Sequence, residues 1–337
     1  MYFIYQMQKK QITILTKRLP YLDYARLSVA YLVILGHLIP ADDRVLRPYI
    51  YAFHMPLFFI ISGMLHKNKE SIPWRKYLVS IVWPFIIWNV LFFIIQPFFI
   101  LWGIWNIEVV KGSNIIEMYL NQSLYLMGSF LHSGHYINGP TWFLPVLLFC
   151  KILTDIMKLS KWYYAGYIIL MCVCLYHPFN YLGFGSTLMA FPFYIVGVYG
   201  KSKIDILIRS DIKIGLAVLL FIISIPMTYL NKTISVYNVC FGFYSFLPIR
   251  LLFCYCAAFA CSLSIILFSA SFKQRVLVAE WANALITILC AQSLFNYIYR
   301  SHFNMDNYFM GIVTSAFIFI LCIYIHKLFG KWIYMKI

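Results

Sequence analysis

Charge is scarce in this sequence. Of its 337 residues, 11% are Asp, Glu, Lys or Arg, while 63% are hydrophobic, 20% are aromatic and the mean hydropathy is +0.79. Ordinary soluble domains carry about 25% charged residues. So little polar surface would not cover a globule of this length, whereas a bilayer needs none over its hydrocarbon band. A soluble multidomain enzyme is thereby excluded. Acid is scarcer still: 11 Asp and Glu stand against 27 Lys and Arg, a formal net charge of +16. The chain also lacks a glycine-rich phosphate loop, a nucleophile elbow and a paired-carboxylate pattern, so a soluble-type nucleotide or hydrolase site has no support. Its nine cysteines, among them Cys254 and Cys256, lie in or beside apolar runs without the spacing of a zinc site, and read as small buried hydrophobes. His132 and His135 have no carboxylate or thiolate ligand nearby, so no metal is expected.

What is there is a series of ten apolar runs, about residues 21–39, 49–65, 78–101, 141–157, 163–177, 187–200, 214–230, 246–269, 282–299 and 308–326. Each approaches the roughly 20 residues of a membrane helix. The runs are unbroken rather than alternating, which argues against the strands of a barrel. The expectation is an all-α polytopic membrane protein with about ten transmembrane helices. It forms one integral membrane domain over 1–337, with a cytoplasmic N-terminal segment at 1–20 and a longer outer segment at 102–140. Within that outer segment, 115–131 is apolar but interrupted by Glu117, Asn121 and Gln122, and fits either an interfacial or a re-entrant piece. No small-residue cleavage site follows the first run, so it is expected to stay attached.

A strongly basic chain raises nucleic-acid binding first, but the basic residues sort by side. With the N-terminus inside, 20 of the 27 fall on inner loops and five, Arg44, Arg47, Lys111, Lys232 and Arg300, on outer ones. This bias places both termini in the cytoplasm and makes membrane lipids, not nucleic acid, the expected surroundings. Two cations, Arg26 and Arg250, fall within spans, and topology does not account for them.

The first span carries Asp23, Arg26 and His37, and only ten residues separate Arg26 from His37. Ten residues rise about 15 Å, half the hydrocarbon thickness, so at least one of the pair sits within the membrane. Eleven positions at about 100° bring both onto one helix face, about 16 Å apart along the axis. Intramembrane ionisable residues mark functional sites; snorkelling of Arg26 with Asp23 as its partner is the alternative. Phe53-His54-Met55-Pro56-Leu57-Phe58-Phe59 with Ser62-Gly63 opens the second span and sets His54 across a short loop from His37. The following inner loop carries Lys67, Lys69, Arg75 and Lys76, which either obey the positive-inside rule or hold an anionic cofactor's phosphates. In the outer segment His135 and Trp142 combine an imidazole with an aromatic face suited to a carbohydrate, and Arg250 is a candidate to hold an anionic group. A weak echo links Pro56 leading to Gly63 with Pro192 leading to Gly197, in two spans of the same direction.

These residues resemble the integral-membrane acyltransferase-3 family, and within it the sugar and polysaccharide O-acetyltransferases that act on O-antigen or fucose-type glycans. The resemblance rests on Arg26 and His37 in the first span, on Phe53 to Gly63, on the basic loop behind it and on Trp142-Phe143-Leu144-Pro145 opening the fourth span. It covers about the first 160 residues by motif and the rest by span count. The resemblance implies a multi-pass enzyme of the bacterial cytoplasmic (inner) membrane. Such an enzyme moves an acetyl group from cytoplasmic acetyl-CoA to a hydroxyl of a cell-surface or lipid-linked glycan, with no metal. By position, His37 and Arg26 would be the catalytic pair and Arg75 with Lys76 would help bind the cofactor's phosphates. The residues read above add His54 to the catalytic candidates, Lys67 to those for the cofactor, and His135, Trp142 and Arg250 as candidates for the acceptor. The family often carries two arginines three apart in the inner loop, where this chain has Arg75 followed by Leu78. His37 can act as general base or be transiently acylated itself. A transporter or flippase of a glycan or anionic solute is the competing class, since intramembrane Arg and His also mark transport pathways.

Overall fold

A computed structural model describes residues 19–40, 42–67, 71–104, 111–132, 138–158, 160, 162–176, 180–230, 248–273, 275–303 and 307–334. Among these the backbone is helical and contains no strand. The elements run α1 (Pro20–Leu38), α2 (Leu46–Met64), α3 (Trp74–Leu101), α4 (Ile115–His132), α5 (Gly139–Met157), α6 (Trp162–Tyr176), α7 (Tyr181–Arg209), α8 (Lys213–Leu230), α9 (Pro248–Ser269), α10 (Val276–Asn283), α11 (Leu285–His302) and α12 (Tyr308–Ile333). We call the end of the bundle with the turn between α1 and α2 the upper end, and the end at which α1 begins the lower.

Every predicted apolar run coincides with a helix. Among the described residues six helices are long and apolar enough to cross a membrane, and a seventh crossing results if α10 and α11, bent by 62° at Ala284, count as one span. α1 and α2 fall short of that measure because Asp23, Arg26 and His37 in the first, and Arg47 and His54 in the second, dilute their hydropathy. The run predicted at 282–299 is therefore only the straight part of a broken pair. Large apolar side chains on the outside, such as Ile86 and Ile94 of α3, Ile169 of α6, Leu219 of α8 and Phe317 of α12, form the girdle that lipid covers.

α1 begins with Pro20 in its first turn, where the missing N–H costs nothing, and ends before Pro40. It lies at the centre of the bundle, packed against α2, α9, α10, α11 and α12, with Leu22, Ala25, Val29, Ala30 and Ile34 fully buried. A membrane helix enclosed by protein turns its polar residues toward other helices rather than lipid, which is the setting in which Arg26 and His37 are tolerable. α3 contains one π-helical stretch, Leu78–Val82, of the kind that often accompanies functional sites.

α2 and α7 run in the same direction and cross through the two glycines of the sequence echo. A Cβ at Gly63 would overlap the Tyr194 carbonyl oxygen, and one at Gly197 the Ile60 carbonyl oxygen. Backbone meets backbone here, so neither helix can yield by moving a side chain. Gly63→Ala or Gly197→Ala is expected to cost about 1–3 kcal/mol each by overpacking. Thermal unfolding of the detergent-solubilised protein measures it; an unchanged midpoint for both would contradict the close crossing.

Candidate functional site

α1, α2, α5 and α11 enclose a cavity of about 330 Å³ in the upper half of the bundle. α2 contributes Arg47, Tyr51 and His54, spaced by four and three residues and hence on one face. His37 and Tyr51 are joined by a hydrogen bond of 3.2 Å between Nδ1 and the phenol. The Tyr51 ring stands edge-on to both imidazoles, with centroid distances of 6.0 Å to His37 and 4.9 Å to His54. His54, 5% exposed, donates from Nδ1 to the Ile50 carbonyl at 2.9 Å, which leaves Nε2 as its acceptor nitrogen.

α11 supplies the opposite wall with Gln292, Asn296 and Arg300, one residue every four. At the upper end of α1 the Arg300 Nε donates to the His37 carbonyl at 3.0 Å, capping one of the carbonyls the helix end leaves without an internal partner. The third wall is the turn that opens α5. The backbone N–H of Asn138 donates to Asn89 Oδ1 at 3.2 Å, its side-chain Nδ2 to the Cys290 carbonyl at 2.9 Å, and Ser293 Oγ donates to Asn138 Oδ1 at 2.8 Å. Tied to α3 and α11 in this way, the turn holds Trp142 and Phe143 against the cavity.

A second cavity of about 140 Å³ lies below the first and is lined by Arg26, Ser62, Ser80 and apolar residues of α2, α3, α5 and α11. Phe143 and Leu289 line both cavities, so the two chambers meet at this pair. Arg26 Nη2 pairs with Asp23 at 3.2 Å, and its Nε donates to the Leu22 carbonyl at 3.2 Å. The one-face arrangement of Arg26 and His37 thus becomes a polar upper chamber around the imidazole and an apolar lower chamber with a guanidinium. The first can deprotonate a hydroxyl; the second suits an extended, largely apolar arm.

At the lower end, one turn beyond Leu147 of this chamber, Lys151 lies over the rings of Tyr77 and Tyr194, at 5.8 and 5.7 Å from their centroids. His66, next to Leu65 of the same chamber, bonds to Tyr194 through Nδ1 at 2.8 Å and to Asp155 through Nε2 at 3.1 Å. Asp155 also accepts from Tyr77 at 2.8 Å and from Lys158 at 3.1 Å. Lys76 approaches Lys151 closely enough for their charges to interact. Arg75, Lys76 and Lys67 themselves are exposed.

Residues 19–328 match the profile of an acyltransferase domain, Acyl_transf_3. The chain belongs to the acyltransferase-3 family. No curated protein and no solved structure matches it. This is therefore a multi-pass membrane acyltransferase, and the resemblance read from the first 160 residues extends over the greater part of the chain.

Of the acyltransferase's candidate residues, the fold brings His37, His54 and Trp142 to the upper cavity and Arg26 to the lower one. His135 lies outside the described residues, as does the Arg250 side chain; the Arg250 backbone is in the first turn of α9. Among the described residues no group of three or more His, Cys, Asp or Glu is placed to hold a metal. Sequence reasoning missed Arg47, Tyr51, Asn296 and Arg300 in the upper cavity and Lys151 with Lys158 below. The signals were the stripe of Arg47, Tyr51 and His54 on α2 and that of Gln292, Asn296 and Arg300 on α11. Arg47 and Arg300 had also been counted among the five cations on the side where cations are few.

Burial and the neighbouring Lys158 hold His66 below its usual value near 6.5, against the opposing pull of Asp155. A depressed histidine contributes stability that is complete above the unfolded value and lost as pH falls through the folded one. The solubilised acyltransferase should accordingly unfold at lower temperature as pH drops below about 6.5, the unfolded-state value for histidine. His66→Gln should flatten that dependence; an unaltered pH profile in the variant would assign it to other groups.

Proposed function

We propose that the acyltransferase moves an acetyl group from acetyl-CoA, bound from the cytoplasmic side of a bacterial inner membrane, to a hydroxyl of a cell-surface or lipid-linked glycan at the opposite side. The observation that carries this reading is the pair of chambers meeting at Phe143 and Leu289. A reaction whose donor and acceptor come from opposite faces needs two entrances and one meeting point. The lower chamber, apolar apart from Arg26 and two serines, fits the donor's arm, and Lys151, Lys158 and Lys76 put positive charge near its lower end for phosphates. Ten spans with both termini cytoplasmic give this arrangement its orientation: the lower end then faces the positive-inside loops.

In the upper chamber the chemistry belongs to His37. With Nδ1–H donating to the Tyr51 phenol oxygen, the unprotonated Nε2 takes the proton of the acceptor hydroxyl as the oxygen attacks the thioester carbonyl. The new C–O bond forms, the C–S bond breaks, and the proton passes from His37 to the leaving thiolate. His54 borders the same space, and Trp142 offers a face on which a sugar ring can stack. Arg26, about 16 Å along α1 from His37, lies too far to touch the reacting atoms and acts by positioning the donor.

Labelled acetyl-CoA supplied to inverted vesicles containing the protein is expected to place label on glycan. Uptake of glycan without label would instead identify a transporter.

A further inference from the structure

The upper cavity carries two guanidinium groups, Arg47 and Arg300, and no carboxylate among the described residues that line it. Asp43, four residues before Arg47, caps the start of α2 by accepting the backbone N–H groups of Val45 at 2.9 Å, Leu46 at 3.1 Å and Arg47 at 3.4 Å. Arg47 Nη1 is buried with no hydrogen-bond partner among the described residues. Arg300 is exposed and Arg47 half-buried over the Tyr51 ring at 5.4 Å, so water screens part of their repulsion, but the buried Arg47 N–H without an acceptor has lost the bond it had in water. An anion between the two would give the buried Arg47 N–H its acceptor and offset the mutual repulsion.

A second orphan points the same way. Asn296 is 6% exposed and lines the cavity, and its amide Nδ2 is turned to Gln292 Oε1 at 3.4 Å, leaving Oδ1 without a hydrogen-bond partner among the described residues. A buried carbonyl oxygen of this kind calls for a donor such as a hydroxyl. The cavity thus offers, side by side, an anion site, a hydroxyl site and the His37 imidazole.

Resting on the acetyl-transfer reading, we propose that the acceptor is an acidic glycan: Arg47 and Arg300 clamp a phosphate ester or a carboxylate of the acceptor, and Asn296 Oδ1 accepts from one of its hydroxyls. The clamp fixes which hydroxyl meets His37, so these are specificity-determining residues. Phosphate and carboxylate share the chemistry of a bidentate guanidinium partner and differ in charge and geometry.

Calorimetric titration of the full-length protein in nanodiscs, with glucose 1-phosphate, glucuronate and glucose as probes, tests the proposal without turnover. At least one of the two anions is expected to bind, the phosphate if the acceptor is lipid-linked through phosphate and glucuronate if it is a uronic-acid glycan, while glucose does not. Arg47→Gln and Arg300→Gln should each weaken that binding by about tenfold or more, and Arg47→Lys, which keeps the charge, by less. Arg47→Gln should also raise the KM for a glycan acceptor and leave that for acetyl-CoA unchanged. Glucose binding as well as the anions, no binding of either anion, or glutamine variants that bind the anion as tightly as the unsubstituted protein would overturn the clamp. Anion binding that depends on both arginines in a protein that transfers no label would refute the acetyl-transfer reading and leave the clamp standing.

Discussion

Replacing His37 by alanine is expected to lower acyl transfer by about 10²–10⁴-fold, the usual share of a positioned general base. The protein should still insert and keep its elution profile in detergent. The imidazole's only described side-chain hydrogen bond is the 3.2 Å contact with Tyr51, and the His37 carbonyl that Arg300 caps survives the substitution. Tyr51→Phe should cost about tenfold, because the imidazole keeps its place and loses the hydrogen bond that orients Nδ1. Transfer of label to glycan in vesicles, corrected for the amount of inserted protein, reads both effects. Undiminished transfer by His37→Ala would remove the base from the scheme, and His54, across the Tyr51 ring, would then be the imidazole to test.

The second large effect is expected at Arg26, where a structural loss and a functional loss coincide. Asp23 is 3% exposed, and Arg26 is its salt-bridge partner. Removing one member of a fully buried pair costs about 3–5 kcal/mol, and less where, as here, the Arg26 side chain is 23% exposed. Arg26→Ala should therefore lower thermal stability as well as activity, and alone it says little about chemistry. The double substitution Asp23→Asn with Arg26→Gln removes both charges and should recover most of the stability. If Arg26 positions the donor, transfer stays low in the double variant, with a raised KM for acetyl-CoA and an unchanged KM for the acceptor. Recovery of transfer together with stability would mean that Arg26 serves only Asp23 and the packing of α1.

The sequence alone determined that the chain is a helical membrane protein, since so few charges leave no other solvent for its surface. It also singled out Arg26 and His37, because two ionisable residues with only ten between them cannot both escape a hydrocarbon layer about 30 Å thick. His54 and Trp142 were legible through their local motifs. The echo around Gly63 and Gly197 was visible, but its meaning was not: only the crossing of α2 and α7 turns it into a backbone contact.

Tertiary structure decided the rest because the remaining partners lie far apart in the chain. Arg300 meets His37 across 263 positions, and His66 meets Tyr194 across 128 and Asp155 across 89. A periodicity argument reaches one or two turns of one helix and says nothing of which helix lies opposite. By side-sorting, Arg47 and Arg300 were ordinary outer cations and Lys151 an ordinary inner one. Folding put the first two around one imidazole and the third between two tyrosine rings. Arg26 and His37 shared a face in the sequence; that they open onto two chambers meeting at Phe143 and Leu289 depends on helices far away in the chain.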